Sequence, residues 1–199
     1  TILKLMAIAT VFSISLCSCN IADSKKTESN VYTSSENPIE AFTDYFDAFF
    51  SSDTESLLLI TTPAAYLEEM KVNGTYNTLV TQTQDIMIKY TLDTFKEQYG
   101  DDVSISLKEQ LNSVPLSQEQ LEDALHCYKT NYGTYSSNIN IVEGYEITYT
   151  YTISGSKASD EKSEAACFVK IENDCWKMMP VTAETLSEYK KAQNMLLNQ

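Results

Sequence analysis

Apolar and polar positions along the chain follow a helical period in the first half of the folded region and an extended period in the second. After Pro38, aromatic and apolar residues recur every three or four positions, which predicts an amphipathic first helix. The residues of its apolar face are Ile39, Phe42, Tyr45, Phe46, Phe49 and Phe50. A face this apolar must pack against a core or line a cavity.

More helices are predicted before the period changes. Ser52 and Glu55 resemble a capping box, which indicates that a short second helix begins there. A third helix is expected to follow Pro63 and to end near Gly74, a residue type that favours helix termination. A long helix is predicted from Thr75 to Tyr99, where apolar residues again recur at three- and four-residue intervals.

Alternation of apolar and polar residues predicts strands beyond Gly100. The first runs from Val103 to Leu107, and a helix capped by Ser117 and Gln120 is inserted after it. The elements expected next are a strand from Tyr145 to Ile153, a polar hairpin connection from Gly155 to Glu164, a strand from Ala166 to Ile171, a turn from Glu172 to Asp174, a strand from Cys175 to Val181 and a helix from about Ala183. This order predicts an α+β fold in which N-terminal helices pack on a curved antiparallel sheet, with an inserted strand and helix.

An apolar run from Leu5 to Leu16 precedes the folded region. It is too short for a membrane-spanning helix, which needs about 20 apolar residues, and its length is typical of a secretion signal. Its end, Leu-Cys-Ser-Cys, resembles the lipid attachment site of bacterial lipoproteins. Because a small residue must precede the modified cysteine, Ser18 favours Cys19 over Cys17 as the lipidated residue.

The chain is therefore expected to have three parts. Residues 1–18 form a lipoprotein signal peptide, residues 19–37 form the lipidated Cys19 and a flexible polar tether, and residues 38–199 form a single domain. The tether is rich in Ser, Thr, Asn and charged residues, and it has too few apolar side chains to offset the entropy lost on ordering. We expect acyl chains on Cys19 to hold the domain at the extracellular face of the bacterial cell membrane.

Charge excludes several classes of partner. Asp and Glu number 28 against 14 basic residues, the net charge is −14, and every basic residue is Lys. Nucleic-acid binding depends on a basic surface and favours bidentate Arg contacts, so nucleic acid is not an expected partner. A phosphate-rich anionic ligand is disfavoured for the same reason.

Cysteine and histidine positions do not indicate a metal site. Removal of the signal and lipidation of Cys19 leave Cys127, Cys167 and Cys175, an odd set that cannot pair completely within one chain. A bridge between Cys167 and Cys175 is geometrically awkward, whereas Cys127 bridging either of them stays open. His126 and Cys127 are adjacent on a predicted helix and point about 100 degrees apart, so they do not share a metal naturally. No metal and no other cofactor are expected.

Two stretches carry a family resemblance. GYEITYTYTISGSK at 144–157 and CFVKIENDCWKMMP at 167–180 resemble the C-terminal half of small lipoproteins of Gram-positive gut-type bacteria. The domains of those proteins are similar to the NTF2-like, cystatin-like cone. The resemblance implies this fold and a cell-envelope location, but no specific activity. Some cone folds catalyse isomerisation or dehydration with a buried carboxylate and a Tyr, so it also implies acid and base candidates, which are Asp44, Asp47, Tyr45, Tyr149 and Tyr151.

Aromatic residues are the candidates for ligand contact. Aromatic rings offer a large contact area with one polar group, so a concave pocket for a sugar, peptide or apolar molecule is one interpretation. Its lining would be Tyr45, Phe49, Tyr149, Tyr151 and Trp176. The other interpretation is that alternating Tyr and Thr simply suit a pleated sheet. His126 lies in a predicted helix without a recognisable catalytic motif, which is typical of a surface or boundary residue.

Three hypotheses of function follow. The first is a non-catalytic, membrane-anchored extracellular domain that binds a small molecule, a peptide or a cell-envelope protein. The second is a small cone-fold enzyme of the isomerase or dehydratase type. The third is a structural subunit that forms a homodimer through its sheet.

Overall fold

The computed structural model describes residues 37–108, 111–133 and 139–197 of the 199-residue chain. The predicted lipidation site Cys19 and the tether before Asn37 lie outside this part. Its helices are α1 (Pro38–Phe50), α2 (Thr54–Thr61), α3 (Ala64–Val72), α4 (Tyr76–Gln82), α5 (Tyr90–Tyr99), α6 (Gln118–Tyr132) and α7 (Leu186–Leu197), with a π-helical segment at Thr83–Lys89 between α4 and α5.

Helix α1 confirms the first predicted helix. Its start is fixed by Asn37, whose side-chain Oδ1 accepts hydrogen bonds from the amides of Ile39 at 3.1 Å and Glu40 at 3.0 Å. Phe42 and Phe49 are each only 1% exposed. The aromatic face therefore packs into the core and is the main contact between the helical half and the sheet.

Two predictions in the helical half are wrong in detail. Asp53, not Ser52, caps α2, because its carboxylate accepts from the amide and hydroxyl of Ser56 while Ser52 adopts a positive φ of 61°. The predicted long helix widens to π-helical geometry in its middle. Thr83 and Ile88 lie five residues apart, the spacing of a π-helical hydrogen bond, and both are buried.

The sheet is antiparallel and strongly curled, like half of a barrel. Its strands are β1 (Ser104–Leu107), β2 (Asn112–Pro115), β3 (Ile141–Ser154), β4 (Ser159–Ile171) and β5 (Trp176–Met179). Strands β1 and β2 lie end to end along one edge of β3, β4 pairs with the other edge of β3, and β5 pairs with the last part of β4. The α+β fold with a curved antiparallel sheet is thus confirmed, and it is consistent with an NTF2-like or cystatin-like fold.

Strand β4 is longer than the sequence pattern predicts. Residues from Ser159 to Glu164, expected in a hairpin connection, continue the strand and pair with β3 in unbroken register. The connection is confined to 155–158, where the Gly155 amide donates to the Ala158 carbonyl at 3.0 Å. The prediction failed because charged residues occupy the face of β4 where apolar residues were expected.

The inner face of the sheet and one end of its outer face are covered by helices. On the inner face, residues of β3, β4 and β5 pack against α1, α2 and α5 in one large hydrophobic cluster. On the outer face, Cys167, Val169 and Met179 pack against α6 and the start of α7 in a second cluster. The helices at the chain's start therefore cover the face on which the candidate site lies.

Candidate functional site

The register of the β3–β4 hairpin places an aromatic row beside a charged row on the inner face of the sheet. Tyr149 lies opposite Glu164 and Tyr151 lies opposite Lys162. Side chains directly opposite each other in an antiparallel pair point to the same face and have close Cβ atoms. The aromatic row of β3 therefore meets charged groups that the sequence had not indicated as neighbours.

Glu164 is the centre of a cluster that it forms with Tyr45, Tyr149 and Tyr151, called the Glu164 cluster below. The hydroxyl of Tyr149 donates to its Oε2 at 3.3 Å, and the hydroxyl of Tyr151 donates to its Oε1, also at 3.3 Å. Both carboxylate oxygens are thus held by tyrosines that are 2% and 3% exposed, while Glu164 itself is half-buried. The carboxylate has a fixed position at the boundary between the core and the surface.

The tyrosines of the cluster are held in their protonated form. Burial, and after it the negative charge of Glu164, raise the pKa of Tyr149, Tyr151 and Tyr45. A protonated phenol in an apolar surrounding donates a hydrogen bond and does not accept a proton as a base. Tyr149 and Tyr151 therefore orient and stabilise the carboxylate of Glu164, which is the hydrogen-bond acceptor.

Helix α1 fixes the rings that carry these hydroxyls. The ring of Phe42 lies 4.5 Å from that of Tyr149, and the ring of Phe46 lies 6.2 Å from that of Tyr151. Such aromatic pairs contribute about 0.5–1.5 kcal/mol each beyond the burial of their area. The amphipathic pattern of α1 therefore has a direct consequence for the site, because it determines where the tyrosine hydroxyls point.

Alternating charges continue along β4 away from Glu164. The ammonium of Lys162 lies 3.5 Å from the carboxylate of Asp160, which also accepts a hydrogen bond from the Tyr99 hydroxyl at 2.8 Å. Burial and this hydrogen bond raise the pKa of Tyr99 to about 12. The inner side of β4 thus presents a negative, a positive and a negative group in turn.

The five residues predicted to contact a ligand all lie in the core between the helices and the sheet. Tyr45, Tyr149 and Tyr151 surround Glu164, whereas Phe49 and Trp176 lie elsewhere in the same core. The ring of Trp176 is 5.9 Å from that of Tyr145, and its indole N–H is buried with no partner in the described part of the chain. Their role in ligand binding stays a prediction.

Sequence reasoning missed Glu164 and Asp160. Both were assigned to the polar hairpin connection, and their relation to the tyrosines depends on the register across the hairpin. A signal was nevertheless present, since Asp160, Lys162 and Glu164 occupy every second position directly before the apolar part of the strand. Extending the period-two pattern backwards would have placed them on the face of Phe168.

The other acid and base candidates lie apart from this cluster or near the surface. Asp47 is exposed, and Asp44 is partly exposed at the neighbouring turn of α1. His126 is half-buried on α6, whose buried residues pack on the outer face of the sheet. Within the described residues, no group of three or more His, Cys, Asp or Glu side chains is arranged to hold a metal ion.

Cysteines of the described part are all free thiols. Cys127 and Cys167 are buried in the outer-face core, and burial raises the pKa of each to about 12. Cys175 is half-buried beside a second charged group, Lys177, whose ammonium lies 3.0 Å from its Sγ. None of these thiols lies in the Glu164 cluster.

Comparisons with known proteins give no relative. The chain matches no protein-family model, no curated protein and no solved structure. Among the helices of the described residues, none has the length and apolar character needed to cross a membrane. The geometry around Glu164 is therefore the main basis for a functional proposal.

Proposed function

We propose that the protein is a lipid-anchored domain on the outer face of a bacterial cell membrane, and that it binds a ligand or an envelope partner without transforming it. The anchoring part of this proposal is supported by the sequence alone. An apolar run of signal-peptide length ends in Leu-Cys-Ser-Cys, and a polar segment separates it from the folded domain. The resemblance to small Gram-positive lipoproteins supports the same location.

The binding part is carried by one observation, the Glu164 carboxylate held between two tyrosine hydroxyls. Each oxygen of a carboxylate can accept more than one hydrogen bond, so a carboxylate in a fixed, half-buried position suits ligands that carry donors. Ligands that offer ammonium or hydroxyl donors complement it, which includes amines, sugars and the N-terminus of a peptide. The net charge of −14 further favours a cationic or neutral ligand over an anionic one.

Several features favour binding over catalysis. The raised pKa values of Tyr45, Tyr149 and Tyr151 keep their hydroxyls from acting as bases. The tyrosines are nearly fully buried, so a ligand would contact chiefly the half-buried Glu164. The cluster is thus better suited to recognition at the rim of the core than to reaction inside an enclosed cavity.

The same cluster supports a second candidate, a small cone-fold enzyme. Glu164 is the one group of the cluster suited to be a general base, and the hydrogen bonds from Tyr149 and Tyr151 would hold its carboxylate in position for proton transfer during isomerisation or dehydration. This candidate and simple binding share their residues but differ in outcome. An enzyme would release a changed product, whereas a binding domain would return its ligand unchanged.

Location is tested by mass spectrometry of the protein purified from its native membrane. The expected result is a chain that begins at Cys19 with diacylglycerol on the sulfur. An intact leader, or an unmodified Cys19 in a cytosolic fraction, would contradict the proposal. A Cys19→Ser variant provides the control, because it should be released from the membrane fraction while the domain still folds.

Binding is tested with the full chain against simple amines, mono- and disaccharides and short peptides, with calorimetry as the readout. The variant Glu164→Gln should weaken binding of the best ligand about tenfold to a hundredfold, because a hydrogen bond to a charged group contributes about 1.5–3 kcal/mol. The matched control is Glu161→Gln, on the same strand but the opposite face. Equal binding by both variants would contradict the assigned site.

The same ligands, analysed after incubation, separate the two candidates. Recovery of the unchanged compound supports a binding domain. Conversion that disappears in Glu164→Gln while binding persists would support the enzyme.

A further inference from the structure

In the part of the chain that the structure describes, the first half of strand β4 has an uncovered edge. On one side, residues Ser159–Ile171 pair with β3, but on the other side β5 pairs only with Cys167–Lys170. Within residues 37–108, 111–133 and 139–197, no strand pairs with the second side of β4 before Cys167. A stretch of extended backbone with unpaired amides and carbonyls is a template for another strand.

The register of β3 and β4 shows which residues point to this edge. The Gly155 amide donates to the Ala158 carbonyl, and Cys167 directs its amide away from β3, to the Val181 carbonyl. Hydrogen bonds of an antiparallel pair alternate from residue to residue, so the odd-numbered residues of β4 direct their backbone groups outwards. Along the uncovered edge these are Glu161, Ser163 and Ala165.

The geometry points to a homodimer in which the uncovered edges of two β4 strands pair antiparallel about a two-fold axis at Ser163. In this register Ser163 faces Ser163 of the second copy, and Glu161 faces Ala165. Each outward amide then meets an outward carbonyl. Lys162 lies opposite Glu164 twice, at positions of the ladder where side chains are closest.

Charge selects this register over its neighbours. Centring the axis on Lys162 would place Lys162 against itself and Asp160 against Glu164. Centring it on Glu161 or Glu164 would place two equal carboxylates face to face. Like charges directly opposite each other destabilise a strand pair, whereas opposite charges stabilise it by about 0.2–1 kcal/mol. Of these registers, only the one centred on Ser163 places opposite charges face to face without also placing like charges face to face.

Charged residues on an edge strand often prevent association, because they repel a second strand or lose hydration when covered. Here the signs alternate along the inner side of β4, and Glu161 on the other side pairs with Lys108. The uncovered edge of β4 therefore repels a second strand in most registers. It complements the same edge of a second copy in the register centred on Ser163. An interface of this kind is narrow, so we expect a reversible dimer that forms at high protein concentration. This inference does not depend on the proposed ligand.

Disulfide trapping tests the pairing directly in the full chain. Facing residues of a hydrogen-bonded pair have Cα atoms about 5.5 Å apart, which suits a disulfide. The variant Ser163→Cys should therefore form a covalent dimer under mild oxidation. The control Glu161→Cys lies on the same strand and face but opposite Ala165, and it should stay at the level of the unchanged chain. Equal trapping of both variants, or of neither, would overturn the inference.

Sedimentation provides the second measurement. Lys162→Glu replaces two attractions by two repulsions and should raise the dimer dissociation constant about tenfold or more. Adding Glu164→Lys to it restores opposite charges at the same positions and should recover association. A monomer at every concentration of the unchanged chain would overturn the proposed dimer. A charge reversal without effect would overturn the register.

Discussion

A single buried lysine shows how strongly tertiary context determines the role of a residue. The side chain of Lys177 is completely buried, which is rare for lysine. Its ammonium donates to the Leu59 carbonyl at 2.7 Å and lies 3.0 Å from both the Asp174 carboxylate and the Cys175 sulfur. The charge is therefore fully compensated, and it joins β5 to the last turn of α2, where a cation is favourable.

Asp174 provides a test of this compensation. Burial alone would raise the pKa of its carboxyl, but the charge of Lys177 and hydrogen bonds from the amides of Ala64 and Cys175 outweigh burial and lower it. A carboxylate with a lowered pKa in the folded state stabilises the protein at neutral pH. That contribution is lost as the pH falls through the folded-state pKa.

We therefore predict that Asp174→Asn lowers the free energy of unfolding by about 3 kcal/mol at pH 7, because it leaves a buried ammonium without its counter-charge. The difference from the unchanged chain should begin to shrink below about pH 4, where this aspartate is protonated in the unfolded chain, and should vanish only below the lowered pKa of Asp174 in the folded state. Urea denaturation at both pH values measures it. Glu68→Gln, which breaks an exposed ion pair with Lys71, is the control and should cost less than about 1 kcal/mol. Equal effects of the two variants would contradict the interpretation.

At the scale of elements, helix boundaries follow local sequence closely. Helix α6 begins at the predicted capping box, in which the Gln120 amide donates to the Ser117 hydroxyl and the Ser117 amide donates to the Gln120 side chain at 2.7 Å. It ends at Gly133, which has a positive φ of 55°. Such boundaries depend on neighbours within four residues, so the sequence pattern identifies them.

Removal of this cap should weaken α6 without changing the sheet. Ser117→Ala is expected to lower the free energy of unfolding by about 1 kcal/mol, since one helix amide loses its side-chain acceptor. Chemical denaturation monitored by circular dichroism measures the change. The control Thr78→Ala, at an exposed position of α4, should be neutral or slightly stabilising because Ala has the higher helix propensity. A loss of similar size at Thr78 would show that the cap is not the cause.

At the scale of the whole molecule, the contact between the helical half and the β3–β4 hairpin determines where the hairpin lies. The carbonyl of Tyr99, at the end of α5, accepts a hydrogen bond from the Lys157 amide at 2.9 Å. A Cβ atom at Gly155 would lie closer to that carbonyl oxygen than any normal contact. The absence of a side chain at this position allows the hairpin to reach the helix and places Asp160 beside Tyr99.

Gly155→Ala is therefore expected to destabilise the protein by about 3 kcal/mol, because backbone must move on one side of the contact. Gly74→Ala is the matched control. Gly74 has a positive φ of 71° but open space around it, so Ala there should cost only about 1 kcal/mol of backbone strain. Thermal denaturation compares the two. Equal losses would contradict the importance of the close approach, because Gly155 itself does not have a positive φ.

The candidate site was only partly accessible to prediction. The tyrosines of β3 were identified because alternation is visible in consecutive residues. Glu164 was missed because its position beside them depends on the length of the hairpin connection, and a charged strand resembles a loop when its partner is unknown. The π-helical segment was missed because its residues keep the three- and four-residue apolar spacing of a regular helix.

The sequence by itself determined the order of the helices and of every strand except β2, the start and aromatic face of α1, the cap of α6 and the acidic charge, because each depends on residues close together in the chain. The tertiary structure decided which groups meet. It brought Lys177 to the Leu59 carbonyl across 118 positions, placed Glu164 between two tyrosines and left one edge of β4 without a partner strand among the described residues. Such contacts arise from strand register and packing between distant segments, which local periodicity does not contain.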